Sequence, residues 1–312
     1  MLFFGINKMK ILPEFPNFKD IELSDKAYIK AFTSKFPPYS DFNFTAMWSW
    51  SWNMNQKMMI CQLNKNLVVL FNDYVSGQRF LSFIGDNKVS ETASQLIAHS
   101  LKHYKTSFLK LIPEEIAGAL PKSEFLITPD RDSYDYVYSI SHLASMNSWT
   151  QNSLSKGIRQ FVKKYPNYII KQNSFKEISK NEYLEVFKRW SKNKKINNYF
   201  ELNEYKAFEK FLQNHDDNIK IISLYINNVL VGFNMCEIIS HDYANSGFSK
   251  ADIKYHASIY ALLNWEEAKI LKEQGIKYYN WEQDLGILGL RKAKMKYEPD
   301  FFLNKFILRK NS

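Results

Sequence analysis

The sequence lacks the residue patterns that mark several specialised protein classes. Ten Gly and nine Pro among 312 residues are too few for a collagenous or low-complexity chain. A hydrophobic content of 45% excludes a disordered protein and is sufficient for sizeable packed cores. The two cysteines, Cys61 and Cys236, are too far apart for a disulfide framework or a metal-ligand motif. The length predicts two domains or one large one.

Long apolar runs are missing as well. No stretch approaches 18 consecutive apolar residues, so we expect no membrane-spanning helix. Met1–Gly5 has neither a basic n-region nor a small-residue cleavage site, and we therefore expect no signal peptide. These features favour a cytoplasmic globular protein and leave open a peripheral position at a membrane surface.

Positive charge is concentrated in the second half of the chain, which has a net charge of +10 overall. Residues 1–140 contain 15 Lys and Arg against 14 Asp and Glu, whereas residues 141–312 contain 27 against 18. Such a concentration favours an anionic partner: nucleic acid, phospholipid headgroups or a phosphorylated cofactor. The alternative is ordinary Lys-rich usage, which the abundance of Lys, Asn, Ile and Tyr throughout the chain supports.

Strand and helix patterns alternate along the first half. The adjacent prolines in residues 36–52 exclude a regular helix at the start of that segment, after which Ser40 or Asp41 is positioned to cap a short helix. Apolar residues at three- and four-residue spacings predict a helix over residues 89–104. The predicted strands are Met58–Leu63, Leu67–Phe71, Phe80–Ile84 and Phe108–Ile112.

The second half shows the same order of hairpin strands, helix and strand. Asn227 and Asn228 tolerate the left-handed backbone of a tight turn and predict a hairpin within residues 220–239. The other predicted elements are a basic helix over 148–164, a strand over 242–248, a helix over 257–274, and strands at Tyr278–Trp281 and Phe301–Leu308. The pattern predicts an α/β (α+β) fold in which residues 1–140 and 141–312 form two similar domains.

One segment near the C-terminus is unusually dense in reactive side chains. Residues 282–297 follow the second strand of a predicted strand–helix–strand unit, the end at which open sheets bind ligands. The segment contains two carboxylates (Glu282 and Asp284), an amide (Gln283), two glycines (Gly286 and Gly289) and four cations (Arg291, Lys292, Lys294 and Lys296). Cations bind phosphates or carboxylates, and glycines allow a ligand close to the backbone. The alternative is a charged turn whose acids pair with its own lysines.

Standard catalytic motifs are absent from the sequence. It contains no P-loop, no dinucleotide-binding glycine motif, no nucleophile elbow and no zinc-protease His pair. His99 and His103 lie four residues apart on a predicted helix, but two ligands without a third do not make a metal site. We therefore expect no metal.

Two segments resemble a known family. Residues 278–299 (YYNWEQDLGILGLRKAKMKYEP) and residues 36–50 (FPPYSDFNFTAMWSW) resemble signatures of the phosphatidylglycerol lysyltransferase C-terminal-domain-like family, with a weaker match at residues 165–168 (YPNY). The sequence departs from the family pattern at Trp281, Leu288 and Leu154-Ser155. The resemblance implies two tandem GNAT-like acyltransferase domains, as in the Fem peptidoglycan aminoacyl ligases.

The resemblance also implies an acyltransferase, with the active site in the C-terminal domain. Family members transfer an aminoacyl group from aminoacyl-tRNA to the hydroxyl of a lipid headgroup. We expect Glu282 or Asp284 to be the base or to orient the nucleophile. The residues expected to bind the donor or substrate are Gln283, Arg291, Lys292, Lys294 and Tyr297, with Lys156 and Arg159 of the basic helix, next to Lys163 and Lys164, added if the donor is tRNA.

Two other functions fit the same sequence. A non-catalytic module that binds RNA or an anionic lipid surface would use the same cations. An N-acetyltransferase that uses acyl-CoA is a further alternative, although the loop that holds the coenzyme A pyrophosphate in acetyltransferases is missing between Ala251 and Ser258. No cofactor follows from the sequence, and aminoacyl-tRNA and acyl-CoA both remain as co-substrates.

Overall fold

The fold comes from a computed structural model that describes residues 12–52, 57–150, 152–214 and 216–311. The N-terminal residues considered for a signal peptide lie outside the described residues. The chain divides into two compact units. Unit 1 contains residues 42–130 and 305–312 together with the chain up to Pro37, and unit 2 contains residues 38–41 and 131–304.

The strands and helices are numbered along the chain. The strands are β1 Lys19–Asp20, β2 Met59–Leu63, β3 Asn66–Asn72, β4 Arg79–Ile84, β5 Phe108–Pro113, β6 Phe125–Pro129, β7 Asp135–Ser139, β8 Ile169–Asn173, β9 Ile219–Ile226, β10 Val229–Ser240, β11 Tyr243–Ala251, β12 Tyr278–Asn280, β13 Phe301–Leu303 and β14 Lys305–Lys310. The α-helices are α1 Lys26–Thr33, α2 Phe44–Trp50, α3 Val89–Tyr104, α4 Glu114–Gly118, α5 Ile140–Ala144, α6 Ser153–Lys164, α7 Lys180–Asn193, α8 Asn203–Phe211, α9 Ile259–Glu273 and α10 Leu288–Met295.

Unit 1 is built on two antiparallel sheets. One has the strand order β1-β2-β3-β4 and the other has the order β5-β14-β6. The hairpin between β2 and β3 turns at Asn64 and Lys65, which both have positive φ (52° and 62°), as a two-residue hairpin turn requires. Helix α3 buries its apolar face against strands β4 and β5.

Unit 2 is built on one mixed sheet of seven strands, in the order β13-β7-β12-β11-β10-β9-β8. The hairpin between β9 and β10 turns at Asn227 and Asn228, as predicted, with φ values of 50° and 62°. Helix α9 packs closely on this sheet at Gly232, where a Cβ atom would lie 2.9 Å from a methyl carbon of Leu263. A larger residue at this position would push the helix away from the strand.

The predicted strand–helix–strand unit is confirmed. Strand β11 leads through α9 to β12, and β11 and β12 are parallel neighbours in the sheet. The helix lies over the sheet and buries Leu262, Leu263 and Leu271. This unit determines where the residues after Asn280 emerge from the sheet.

Three elements differ from the sequence analysis. Strand β7 pairs with β12 and β13, so residues 131–139 belong to unit 2, while β14 pairs with β5 and β6 of unit 1. The single strand predicted at Phe301–Leu308 is therefore two strands in different units. The short helix after residue 40 is capped by Asn43, whose side chain accepts from the Ala46 N–H, and not by Ser40 or Asp41.

Among the described residues, no helix has both the length and the apolar character needed to cross a membrane.

Candidate active site

Two parallel strands of unit 2 remain paired over only three residue pairs, and we call the place where this pairing ends the gap. Strands β11 and β12 pair only from Tyr243 opposite Tyr278 to Asn245 opposite Asn280. Beyond this point β11 continues along β10, whereas Trp281 donates its backbone N–H to Tyr136 of β7. The carboxyl ends of neighbouring parallel strands are where open sheets bind ligands.

The loop after β12 is organised around a buried carboxylate, Asp284. Its side chain is 0% exposed and accepts five hydrogen bonds. The donors are Nε and Nη2 of Arg291 (both 2.8 Å), Nη1 of Arg131 (3.3 Å), the hydroxyl of Tyr136 (2.6 Å) and the backbone N–H of Gly286 (2.9 Å). Burial alone would raise the pKa of Asp284, but the bonds from Arg291 and Tyr136 outweigh it and lower this pKa below its ordinary value. A carboxylate held in this way is a weak base.

Arg291 joins the loop to the segment before β7. Besides Asp284, its Nη2 donates to Oδ1 of Asp132 at 2.6 Å. The bonds to both carboxylates raise the pKa of Arg291 above its ordinary value. Asp132 also explains a glycine in the loop, because a Cβ atom on Gly286 would lie 2.9 Å from its Oδ2, and Gly286 has a φ of +72°.

Lys294 closes the loop from the other side. Its Nζ donates to three successive carbonyl oxygens, those of Trp281, Glu282 (3.0 Å) and Gln283 (2.7 Å). The backbone there is unusual, since Glu282 and Leu285 both have positive φ (58° and 56°), a conformation that costs a non-glycine residue free energy. Lys294 therefore stabilises a strained loop, and its charge is used within the protein.

The other residues predicted for the site lie in different surroundings. Glu282 and Gln283 are half-buried in the loop, and Lys292 is exposed on α10. Tyr297 is buried edge-to-face against Trp281 at 4.8 Å, and burial raises its pKa to about 12. The sequence analysis predicts no helix within segment 282–297, but residues 288–295 form helix α10.

Lys156 and Arg159 lie on the exposed side of α6. Arg159 donates from Nη1 to the carbonyl of Asn147 at 2.8 Å. The structure thus brings Asp284, Arg291 and Lys294 together around the loop after β12. Lys156 and Arg159 lie apart from this group, on helix α6.

Sequence reasoning missed three partners of Asp284 and Arg291. Arg131, Asp132 and Tyr136 belong to a polar stretch before and within β7, close to the predicted domain boundary at residue 140. Arg131 also stacks over the rings of Tyr136 (5.2 Å) and Phe302 (4.7 Å). The alternation of charged and aromatic residues over 130–136 was the available signal.

A second carboxyl group lies buried between helix α9 and strands β10 and β12. Glu267 of α9 is 1% exposed, and it accepts bonds from Nδ2 of Asn234 (2.8 Å) and from the hydroxyl of Tyr279 (3.0 Å). Burial raises the pKa of Glu267 to about 7, which the bonds from Asn234, Tyr279 and the neighbouring Cys236 thiol only partly oppose. The sequence analysis did not single out Glu267, which is one of two adjacent acids, Glu266 and Glu267, within the predicted helix 257–274.

Two half-buried serines of β11 extend this arrangement towards the gap. Ser249 donates to Oδ1 of Asn234 at 2.6 Å. Ser246 is the first residue after the parallel pairing ends. It lies two residues beyond Ala244, the partner of Tyr279, so the side chains of Ser246 and Tyr279 share one face of the sheet. We call Glu267, Asn234, Tyr279, Ser246 and Ser249 the Glu267 cluster.

Comparisons with known proteins agree with this architecture. Residues 36–309 match the family described as phosphatidylglycerol lysyltransferase, C-terminal. The chain belongs to this family. Membership of this family makes it an acyltransferase by family. No curated protein gives a significant match.

Three solved structures are similar in fold. A conserved protein of unknown function from Bacteroides thetaiotaomicron VPI-5482 has 28% identity and a TM-score of 0.79, over 96% of this chain and 100% of that one. The structure of L-PGS from Bacillus licheniformis has 15% identity and a TM-score of 0.55, over 93% and 92%. A tandem GNAT protein from the clavulanic acid biosynthesis pathway has 9% identity and a TM-score of 0.50, over 94% and 97%. The family and these folds confirm the predicted tandem GNAT-like architecture.

We predict that Asp284→Asn lowers the free energy of unfolding by about 3 kcal/mol, because Arg291 and Arg131 lose their buried counter-charge. The lowered pKa of Asp284 means that its stabilisation is present above pH 3.8, the ordinary value, and is lost as the pH falls through its folded pKa. Urea unfolding at pH 7 and at acid pH measures both effects. The control Glu273→Gln removes an exposed acid, and equal stability of the two variants would contradict the prediction.

We predict the opposite pH dependence for Glu267. Its folded pKa of about 7 exceeds the ordinary 4.5, so the native state holds an extra proton between these values and loses stability as the pH rises through that window. Relative to Glu267→Gln, the free energy of unfolding of the wild type should fall by about 3 kcal/mol between pH 4.5 and 7. Thermal unfolding across this range tests it, with Glu266→Gln on the same helix as control. A constant difference between wild type and Glu267→Gln would refute it.

Proposed function

We propose that unit 2 transfers an aminoacyl group from aminoacyl-tRNA to a hydroxyl or amine acceptor at the gap between β11 and β12. The observation that carries the proposal is the separation of these parallel strands beside a polar loop fixed by Asp284, Arg291 and Lys294. A rigid loop next to the gap can hold a donor carbonyl beside a nucleophile. Such positioning supplies much of the catalysis of group transfer.

The loop residues divide into two roles in this proposal. Asp284, Arg291 and Lys294 are positioning residues, because their charged groups are bonded to one another or to the loop backbone. Glu282 and Gln283 orient the acceptor and the donor ester, since these side chains are half-buried on the loop that Lys294 fixes. Preorganised donors at the reacting carbonyl stabilise the oxyanion that forms there.

Exposed cations would bind the polyanionic donor. Lys292 on α10 and Lys156 and Arg159 on α6 are exposed, and each phosphate contact made by such a residue releases counterions. Tyr297 packs against Trp281, the residue that leads into the loop after β12, and so supports that loop. Binding of tRNA should therefore weaken steeply as salt increases.

Transfer from radiolabelled lysyl-tRNA tests the proposal directly. The acceptors are vesicles containing phosphatidylglycerol in one arm and a soluble amine in the other. We expect label to appear in one acceptor, and Glu282→Gln to lower kcat/KM by roughly 100-fold. A thermal shift with coenzyme A and none with tRNA would instead favour an acyl-CoA donor.

Charge variants separate donor binding from chemistry. The double variant Lys156→Gln/Arg159→Gln should raise KM for tRNA, flatten its salt dependence and leave kcat unchanged. The matched control Lys272→Gln/Lys277→Gln removes two exposed lysines elsewhere in unit 2. Equal effects of the two double variants would refute a tRNA-binding role for α6, and tRNA binding without any transfer would indicate a binding module.

A further inference from the structure

The Glu267 cluster places a buried carboxyl group among uncharged polar side chains, an arrangement that packing alone does not require. Its carboxyl group is buried on α9 under the sheet, and the groups that face it from β10 and β12 carry no charge. The titratable groups around it are the Cys236 thiol on β10 and the Tyr279 hydroxyl on β12, with Lys220 on β9 acting on Cys236. The neutral polar groups are Asn234 on β10 and Asn264 on α9, which are bonded to each other, and Ser246 on β11. A buried carboxyl without a cationic partner binds a proton readily.

The cluster reaches the gap along two arms. In the first, Ser246 neighbours Tyr279 on the same face of the sheet, and the Tyr279 hydroxyl donates to Oε1 of Glu267 at 3.0 Å. In the second, Ser249 donates to Asn234, whose amide donates to Oε2 of Glu267 at 2.8 Å. Hydroxyl groups both donate and accept, so the first arm can pass a proton, whereas the amide of the second arm can only hold the carboxyl in place.

Ser246 lies at the end of the first arm that is nearest to the gap. It is the first residue of β11 beyond the parallel pairing with β12, and its side chain is half-buried, so it lies where the gap begins. Its hydroxyl is therefore the end of the cluster that a bound acceptor would meet. The other end, Glu267, is sealed from solvent.

We propose that Ser246, Tyr279 and Glu267 form a proton relay, in which Ser246 contacts the acceptor of the transfer reaction and Glu267 is the final proton acceptor. The inference rests on the proposed function and names the base that it needs. Asp284 does not fill this role, because two guanidinium groups hold it ionised. In this scheme Ser246 is a catalytic residue, and Tyr279 and Glu267 act through it.

The proton balance of the step is complete. The acceptor oxygen or nitrogen attacks the ester carbonyl carbon and forms the new bond, and its proton moves to Ser246. The Ser246 proton passes to Tyr279 and the Tyr279 proton to Glu267. The bond between the acyl carbon and the ribose oxygen of tRNA then breaks, and the proton returns along the same path to that oxygen. No external acid, oxidant or reductant is required.

The pH dependence of transfer tests the relay. With lysyl-tRNA and the acceptor that takes label, we expect the wild-type single-turnover rate to fall about tenfold per pH unit below pH 7 and to level off above it. Glu267→Gln should be at least 100-fold slower and should lose the fall in rate below pH 7, which we call the acidic limb. Tyr279→Phe and Ser246→Ala should each slow the transfer at least tenfold. Glu266→Gln, the neighbouring acid on α9 bonded to Tyr168 and Lys269, should keep both rate and limb.

Each result decides the proposal. A Glu267→Gln variant with the wild-type rate and limb overturns the relay, as does an equal loss in Glu266→Gln. If the wild type transfers label to neither acceptor, the proposed function fails. The relay is then tested separately by carbon-13 NMR, which measures the titration midpoint of the Glu267 carboxyl. A midpoint near pH 7 that shifts in Tyr279→Phe supports it, and a midpoint near 4.5 overturns it whatever the activity assay gives.

Discussion

The ion pair between Asp284 and Arg291 is the constraint on which the candidate site depends. Two parallel bonds of 2.8 Å join the carboxylate to the guanidinium across one turn of loop and the start of α10. Arg131 and Tyr136 add bonds from the segment of β7, which ties the loop to the sheet. Because removal of one partner would leave a buried charge, the loop has few alternative conformations.

The rigidity of this loop has a local cost. Glu282 and Leu285 occupy left-handed backbone conformations that cost a non-glycine residue free energy, and the bonds of Lys294 to three carbonyl groups and of Asp284 to its donors offset it. Strained backbone of this kind is concentrated at functional sites, where exact placement of a group matters more than stability. The strain therefore agrees with a role for the loop in holding substrate, and a simple connection between β12 and α10 would not need it.

Periodicity in the sequence predicts most of the fold but little of the site. The hairpins at Asn64-Lys65 and Asn227-Asn228 and the unit β11-α9-β12 follow from local patterns, because turn residues and apolar spacing act over short distances. The bonds of Asp284 to Arg131 and Tyr136 span about 150 residues of chain, and no local pattern encodes them. Glu267 could not be distinguished from Glu266 for the same reason. Both are buried, and they differ in their partners, since Glu266 pairs with Lys269 whereas Glu267 meets the uncharged Asn234 and Tyr279.

The positive charge of residues 282–297 is only partly available to a ligand. Of the four cations there, Arg291 and Lys294 are bonded within the protein, and only Lys292 and Lys296 are exposed on that segment. Two exposed lysines give a weak electrostatic attraction to a polyanion, because each phosphate contact contributes separately. A tRNA donor would thus require the exposed cations of α6 as well, whereas a small donor such as coenzyme A would not. The salt dependence of binding in variants of α6 therefore distinguishes the two donor classes more sharply than any substitution in the loop.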